Sequence, residues 1–209
     1  MSFLFPASTI TFEAALRDLA RGSPKARAQA ARALGGVDDP EERRRALDPL
    51  VRALDDDKAE VRDAAATSLG TLESVDEPVV RGLVKRLGDG DMAVRQHAAI
   101  ALGTLRAEAG FEALADALKS GPADLRFQAA TSLAEVDPAR AFDHVLAALA
   151  DRDAQVVGAA ALSVGAIAAN DASLAPRALE ALGAAIGAAP AAGDSGARFD
   201  IGYGCAEMD

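Results

Sequence analysis

Apolar residues return along this chain in a fixed phase. They occupy the first, fifth, ninth and twelfth places of a segment that recurs six times. Counted as offsets 0, 4, 8 and 11, these places lie on one side of a 3.6-residue helix, so each copy predicts an amphipathic helix and not a strand. The clearest copies are Val61-Arg-Asp-Ala-Ala-Ala-Thr-Ser-Leu-Gly-Thr-Leu72 and Val94-Arg-Gln-His-Ala-Ala-Ile-Ala-Leu-Gly-Thr-Leu105. Two more run from Leu125 to Val136 and from Val156 to Ile167, and weaker ones begin at Ala26 and Ala197. The anchors 26, 61, 94, 125, 156 and 197 are 35, 33, 31, 31 and 41 residues apart, and a period near 33 marks a stacked array of small units.

A second amphipathic stretch precedes each copy, as in residues 78–87 and 141–149, so every unit is a helix pair. The pattern predicts first helices near 11–21, 41–54, 76–87, 107–119, 139–150 and 172–187. Second helices are predicted near 24–35, 59–72, 91–105, 122–135, 153–168 and 195–208. The turns Asp89-Gly-Asp91 and Asp151-Arg-Asp153 put carboxylates ahead of a second helix, where free N–H groups and the positive dipole end favour an acceptor. Pro24 and Pro122 suit a first helical turn, where no donor is lost. No stretch has the composition of an interdomain linker. The Ala/Gly/Pro run 187–196 is read as an enlarged turn inside the last pair.

The Asp-x-Asp turn, the Val-Arg that follows, the Ala pair and the Leu-Gly, best kept in residues 56–72 and 89–105, resemble the HEAT-repeat family. The likeness is to the short bacterial HEAT-like repeats often grouped with phycobilin lyase subunits. It implies an all-α, right-handed α-solenoid of about six helix pairs. Residues 11–209 would form one domain, preceded by an apolar segment at 1–10 whose Phe3-Leu4-Phe5 covers the N-terminal end. It also implies a ladder joining successive repeats through Asp56, Arg62, Asp89, Arg95, Arg126 and Asp151. Arg21 and Ser120 stand where the turn Asp would fall, Val157 replaces Arg, and Gly202 enters the Ala pair of the last copy. Such arrays serve as scaffolds, adaptors, lyases and chaperones alike, so the resemblance fixes architecture and not activity.

Composition narrows the classes. About a quarter of the 209 residues are Ala, with no Trp, one Tyr and seven Phe, so small side chains build the core. A single Cys excludes a disulfide framework within the chain. A net charge of −10 and a pI near 4.7 argue against a nucleic-acid or anionic-lipid binder, which needs a basic footprint. The least charged stretch, residues 154–170, is at the lower limit for a membrane span and is built from Ala and Gly rather than Leu and Ile, so no membrane span is expected. The N-terminal Met1–Ile10 lacks a positive region, and Pro6 interrupts its apolar run, so it does not read as a signal peptide. The expected compartment is the cytoplasm. The 18 Arg against 4 Lys fit the coding bias of a GC-rich bacterium.

The candidate chemistries are few. Asp55, Asp56, Asp57, Asp89, Asp91, Asp151 and Asp153 are oxygen ligands in kind, yet no copy continues to the Gly and distal Glu of a calcium loop. Capping and pairing with Arg are the simpler roles. His97 and His144 are 47 residues apart on different helices, and Cys205 takes an offset filled elsewhere by Leu. Gly202-Tyr-Gly204 follows no strand and precedes no Lys, so it is no phosphate loop. Arg43-Arg44-Arg45 follows Glu41-Glu42 and precedes Asp48, the pattern of a solvated helix face.

Opposite the core, offsets 2, 6 and 10 of the second helices form a stripe that the resemblance assigns to the concave face. The first two copies fill it with polar or small residues. From the third copy onward it carries Ile100, Phe127, Leu162, Phe199 and Tyr203, with Gln96, Gln128 and Thr131 as hydrogen-bonding neighbours. An apolar ridge of this kind marks a partner site. It would instead be internal if the array curves tightly or if the last pair is a cap. Residues 151–209 hold 8 acids and 3 bases against 24 and 19 in residues 1–150, which leaves the C-terminal end open to self-association or to continuation in a longer chain. The reading is a non-enzymatic scaffold or adaptor that binds another protein and needs no cofactor or metal. A lyase or chaperone-like subunit for a tetrapyrrole chromophore and a DNA-repair protein are the alternatives.

Overall fold

Helix-start chemistry positions most of the elements. The structure, a computed structural model, describes residues 10–188. In the first compact unit, Met1–Ala101, the helices are α1 (Phe12–Arg21), α2 (Pro24–Gly35), α3 (Pro40–Ala53), α4 (Ala59–Thr71), α5 (Glu77–Arg86) and α6 (Met92–Thr104). The division from the second unit, Leu102–Asp209, falls inside α6. There a short 3-10 turn, Glu108–Gly110, leads into α7 (Phe111–Ser120), α8 (Ala123–Val136), α9 (Pro138–Ala148), α10 (Ala154–Asn170) and α11 (Ala175–Ala188). Among the described residues there is no strand. The second helix expected at 195–208 lies outside them. Side-chain oxygens of Thr11, Ser23, Asp39 and Asp137 cap α1, α2, α3 and α9. Pro24, Pro40 and Pro138 occupy first-turn positions.

Within each unit like packs on like. In the first unit α2 lies against α4, and α1 against α3; in the second α8 lies against α10, and α7 against α9. The core follows the offsets. Leu34, Leu69, Leu102, Leu133 and Val164 at offset 8 are completely buried, as are the Ala residues at offsets 4 and 5 from Ala30-Ala31 to Ala160-Ala161. Each buried Leu contributes about 1.5–3 kcal/mol by leaving water.

The tightest helix crossing is set by glycine at offset 9. A Cβ on Gly35 of α2 would come within 2.5 Å of Ser68 on α4, and one on Gly70 within 3.1 Å of Ala101. Ser68 uses this proximity, donating its Oγ at 2.9 Å to the carbonyl of Ala31. Ser163 on α10 does the same to Ala130 on α8, at 3.2 Å.

A second seam joins the first helices. Arg45 on α3 lies over the Phe12 ring of α1 and donates to Glu13 at 2.6 Å. Arg140 on α9 lies 3.9 Å from the Phe111 centroid and donates to Glu112. Arg177 on α11 repeats the arrangement over Phe142 and Asp143. Three of the seven Phe thus carry a guanidinium group over the ring, a cation–π contact with an ion pair alongside.

Two boundaries differ from the sequence expectation by three residues or more, the others by at most two. The helix expected from residue 107 starts at Phe111, because α6 closes with Arg106 in the left-handed region, φ 48°. The Ala107 N–H then donates to Leu102 O and the Arg106 N–H to Gly103 O, which stops the helix and turns the chain. The helix expected from residue 172 starts at Ala175, since Asp171 Oδ1 accepts the N–H and the hydroxyl of Ser173 and holds that turn outside the helix.

Candidate functional site

The inter-helix turns carry a repeated arginine fork. Arg62 donates Nε and Nη2 to the two oxygens of Asp89 at 2.8 and 2.6 Å, while its Nη1 holds the carbonyl of Asp56 in its own turn. Arg126 grips Asp151 through Nε and Nη2, both at 2.8 Å, with Nη1 on the Gly121 carbonyl. Arg27 completes the pattern on Asp56, both oxygens at 2.7 Å, with Nη1 on the Gly22 carbonyl. Arg95 Nη1 holds the carbonyls of Asp89 and Gly90. Each gripped carboxylate also accepts the backbone N–H two residues on, at Lys58, Asp91 or Asp153. The second Asp of the turn is a cap: Asp91 accepts from Ala93 and Val94, and Asp153 from Gln155 and Val156. Arg27 was not among the residues expected here. Its signal was present, since it stands at offset 1 like Arg62 and Arg126.

These partners depress the acids. Burial alone would raise Asp89, but the Arg62 fork and the Asp91 N–H outweigh it and hold its carboxyl below the usual range. Asp151 is lowered first by Arg126, and Asp56 is lowered by Arg27 and the Lys58 N–H against its own burial. A carboxyl lowered in the folded state stabilises the fold above its unfolded value near 3.8 and loses that contribution as pH falls through the folded value. Stability is therefore expected to be level above about pH 5 and to fall steeply below about pH 4. Acid titration followed by circular dichroism checks this, and Asp89→Asn, already weakened at neutral pH, shows a shallower acid loss.

The remaining candidates are also engaged. Arg43 donates to the Val37 carbonyl, Arg44 pairs with Glu41, and Arg45 with Glu13, so the basic triplet is neutralised locally. Asp55 pairs with Lys85 at 2.6 Å and Asp57 with Arg27 at 2.8 Å. His97 Nδ1 lies 2.5 Å from Asp63, and His144 sets its ring edge-on to Phe111. Cys205, Phe199 and Tyr203 lie outside the described residues.

The stripe of the second helices is partly open. Offsets 6 and 10 are exposed at Arg32, Gly36, Thr67, Thr71, Ile100, Thr104, Leu162 and Ala166. Offset 2 was read as equally open, but Ala28 and Gly158 are buried there. The reason is geometric: offset 2 is seven residues before offset 9 and shares its side, so it sits at the helix seam. In the first unit Ile100 is 37% exposed, with Gln96 half-buried one turn away. In the second unit Phe127 and Leu162 are each 38% exposed, and Gln128 and Thr131 are half-buried.

Phe127, Thr131 and Leu162 meet in a groove of about 690 Å³ between α8 and α10. Gln128 does not line it. One wall is the row Phe127, Thr131 and Glu135, the other Leu162, Ala166 and Asn170, each spaced by four residues along its helix. Ala159 and Ile167 form part of the floor, and Pro138 closes one end. Glu135 and Ala166 belonged to the stripe but were not singled out. Asn170 falls at offset 14, past the twelve-residue copy, and α10 is long enough, at 17 residues, to carry the row that far.

Helix pairs stacked like on like, with a polar fork recurring in their turns, define an all-α repeat protein of the α-solenoid class. Residues 13–87 match the family model for HEAT repeats, and residues 94–120 that for the PBS lyase HEAT-like repeat. Those two stretches are thus HEAT and HEAT-like repeats. Solved structures with the same fold include an engineered protein with a TM-score of 0.62 at 22% identity, covering 95% of this chain and 98% of that one. An archaeal HEAT-like repeats protein from Thermococcus onnurineus NA1 has a TM-score of 0.60 at 16% identity, covering 95% and 87%. A designed armadillo repeat protein in complex with the peptide (KR)4 has a TM-score of 0.57 at 18% identity, covering 93% and 98%. No curated protein matches the sequence significantly.

Proposed function

We propose that this chain is a non-enzymatic interaction module, a scaffold or adaptor of a bacterial cytoplasm, that takes a segment of another protein into the groove between α8 and α10. The observation that carries the reading is the pairing of Phe127 and Leu162, large apolar side chains left 38% exposed on facing helices of one groove. Exposed apolar pairs of this kind anchor partners, and burying them on association releases water. Thr131 and Asn170 supply polar groups between and beyond the anchors. Arrays of this fold class include a designed armadillo repeat protein in complex with a peptide. Among the described residues no helix is long and apolar enough to cross a membrane. Ile100, with Gln96 beside it, offers the first unit its own contact point. Phe199 and Tyr203 are further contacts proposed on sequence alone.

The test is affinity purification with the full chain and quantitative mass spectrometry. Wild type is expected to recover a specific partner, and Phe127→Glu with Leu162→Glu to reduce that recovery at least tenfold while keeping the wild-type circular dichroism and melting temperature. Equal recovery by the folded double variant overturns the reading.

A further inference from the structure

The groove has two chemically different ends. Phe127 and Leu162 make one end apolar, and Glu135 and Asn170 make the other polar. Glu135 is the one charged side chain among the lining residues. Burial pushes its carboxyl upward, and Arg106 offsets this only in part. Both long helices also stop at this end, α8 at Val136 and α10 at Asn170. Their last carbonyls therefore add negative potential beside the carboxylate, and Asp137 and Asp171 follow them directly. A cation placed there gains from Glu135 and from two helix C-terminal ends, against the N-terminus of α9, which Asp137 caps, and the charge of Arg106. Phe127 and Glu135 are eight residues apart on α8, which at 1.5 Å per residue separates the two ends by about 12 Å.

We propose that the groove selects a partner segment with two anchors, an apolar side chain seated on Phe127 and Leu162 and a Lys or Arg set against Glu135, about 12 Å apart. This rests on the reading of the groove as a protein-docking site and adds what that site discriminates. An extended segment rises about 3.3 Å per residue, so its anchors stand three or four residues apart. In a helical segment the same distance takes seven or eight residues. Glu135 is then the specificity residue. An acidic or neutral residue at the second position would leave its carboxylate with only the partial compensation of Arg106.

Selection of a random twelve-residue peptide display library on the immobilised full chain tests this, in parallel with Glu135→Gln, Glu135→Lys and the Phe127→Glu/Leu162→Glu double variant. Wild type is expected to enrich peptides with an apolar residue and a Lys or Arg at one of the two spacings. Glu135→Gln binds those peptides at least tenfold more weakly by fluorescence anisotropy, the double variant does not retain them, and Glu135→Lys recovers binding to peptides whose basic residue is changed to Glu. Peptides that need Phe127 and Leu162 but bind wild type and Glu135→Gln equally overturn the two-anchor inference and leave the docking reading standing. If no selected peptide depends on Phe127 and Leu162, both fall. Glu135 is exposed on α8 with only its carboxyl partly desolvated, so its variants are expected to melt close to wild type.

Discussion

Asp89→Ala is expected to lower the unfolding free energy by about 3–5 kcal/mol and the melting temperature by roughly 10 °C. The Asp89 side chain is only 3% exposed. It accepts from Arg62 Nε and Nη2, from Arg86 Nη1 at 3.1 Å and from the Asp91 N–H at 3.0 Å. Removing it strands two largely covered guanidinium groups, and Arg86 has little to fall back on. Its buried Nε has no hydrogen-bond partner in the structure, and its other ion pair reaches the exposed Asp55. An uncompensated charge in such a place costs far more than the intact pair contributes over apolar residues of the same size. The contrast is Glu77→Ala, which breaks an exposed pair with Arg81 and should cost less than about 0.5 kcal/mol. Urea unfolding of the two variants side by side checks the difference. Equal losses would show that the forks do not hold the turns together.

The two kinds of seam differ in how openly the sequence displays them. The arginine forks could be read from repetition, because Arg62 and Arg126 recur at the same offset one residue after an apolar anchor. Arg27 obeys the same rule in a weaker copy, where Ala26 replaces the anchor Val and dilutes the pattern. The Phe and arginine seam was harder to see. Phe12-Glu13, Phe111-Glu112 and Phe142-Asp143 lie on first helices whose register varies, and the Arg that covers each ring lies 29 to 35 residues later. Only the fold shows that these separations mean one step along the stack.

The groove was half legible for a related reason. A helical period gives the direction a residue faces relative to its own axis, which brought Phe127, Thr131 and Leu162 to one stripe. It does not say how closely the next helix approaches. That distance is set at offset 9, which is Gly35 in α2 but Ala134 in α8, and offset 2 is covered at Ala28 yet half open at Phe127, whose ring is too large to be tucked into the seam. Glu135 gives no such signal in the sequence, because a lone acid on an acidic surface stands out only once its apolar surroundings are known.

The same glycine gives the second large effect, and its sign depends on position alone. Alanine is the better helix former by about 0.8–1 kcal/mol, so propensity alone would have every helical Gly→Ala change stabilise. Gly183 on α11 has nothing within 4 Å of the place its Cβ would occupy, and Gly183→Ala should raise stability by about 0.5–1 kcal/mol. At Gly35 the added carbon would stand 2.5 Å from both Cβ and Oγ of Ser68 and 2.8 Å from its Cα. Rotating the serine hydroxyl cannot relieve a clash with its Cα and Cβ, so α2 and α4 must separate. That movement also strains the bonds from Ser68 to Ala31 and from Thr71 to the Gly35 carbonyl, at 2.9 and 2.8 Å. Overpacking of this kind costs about 1–3 kcal/mol, leaving Gly35→Ala a net loss of up to about 2 kcal/mol after the propensity gain. Gly70→Ala falls between the two, since its nearest neighbours at 3.1 and 3.2 Å need to yield by only a few tenths of an ångström. Chemical denaturation of the three variants should therefore rank them Gly183→Ala, Gly70→Ala, Gly35→Ala from most to least stable. If Gly35→Ala proves as stable as Gly183→Ala, the close crossing of second helices is not what keeps glycine at offset 9.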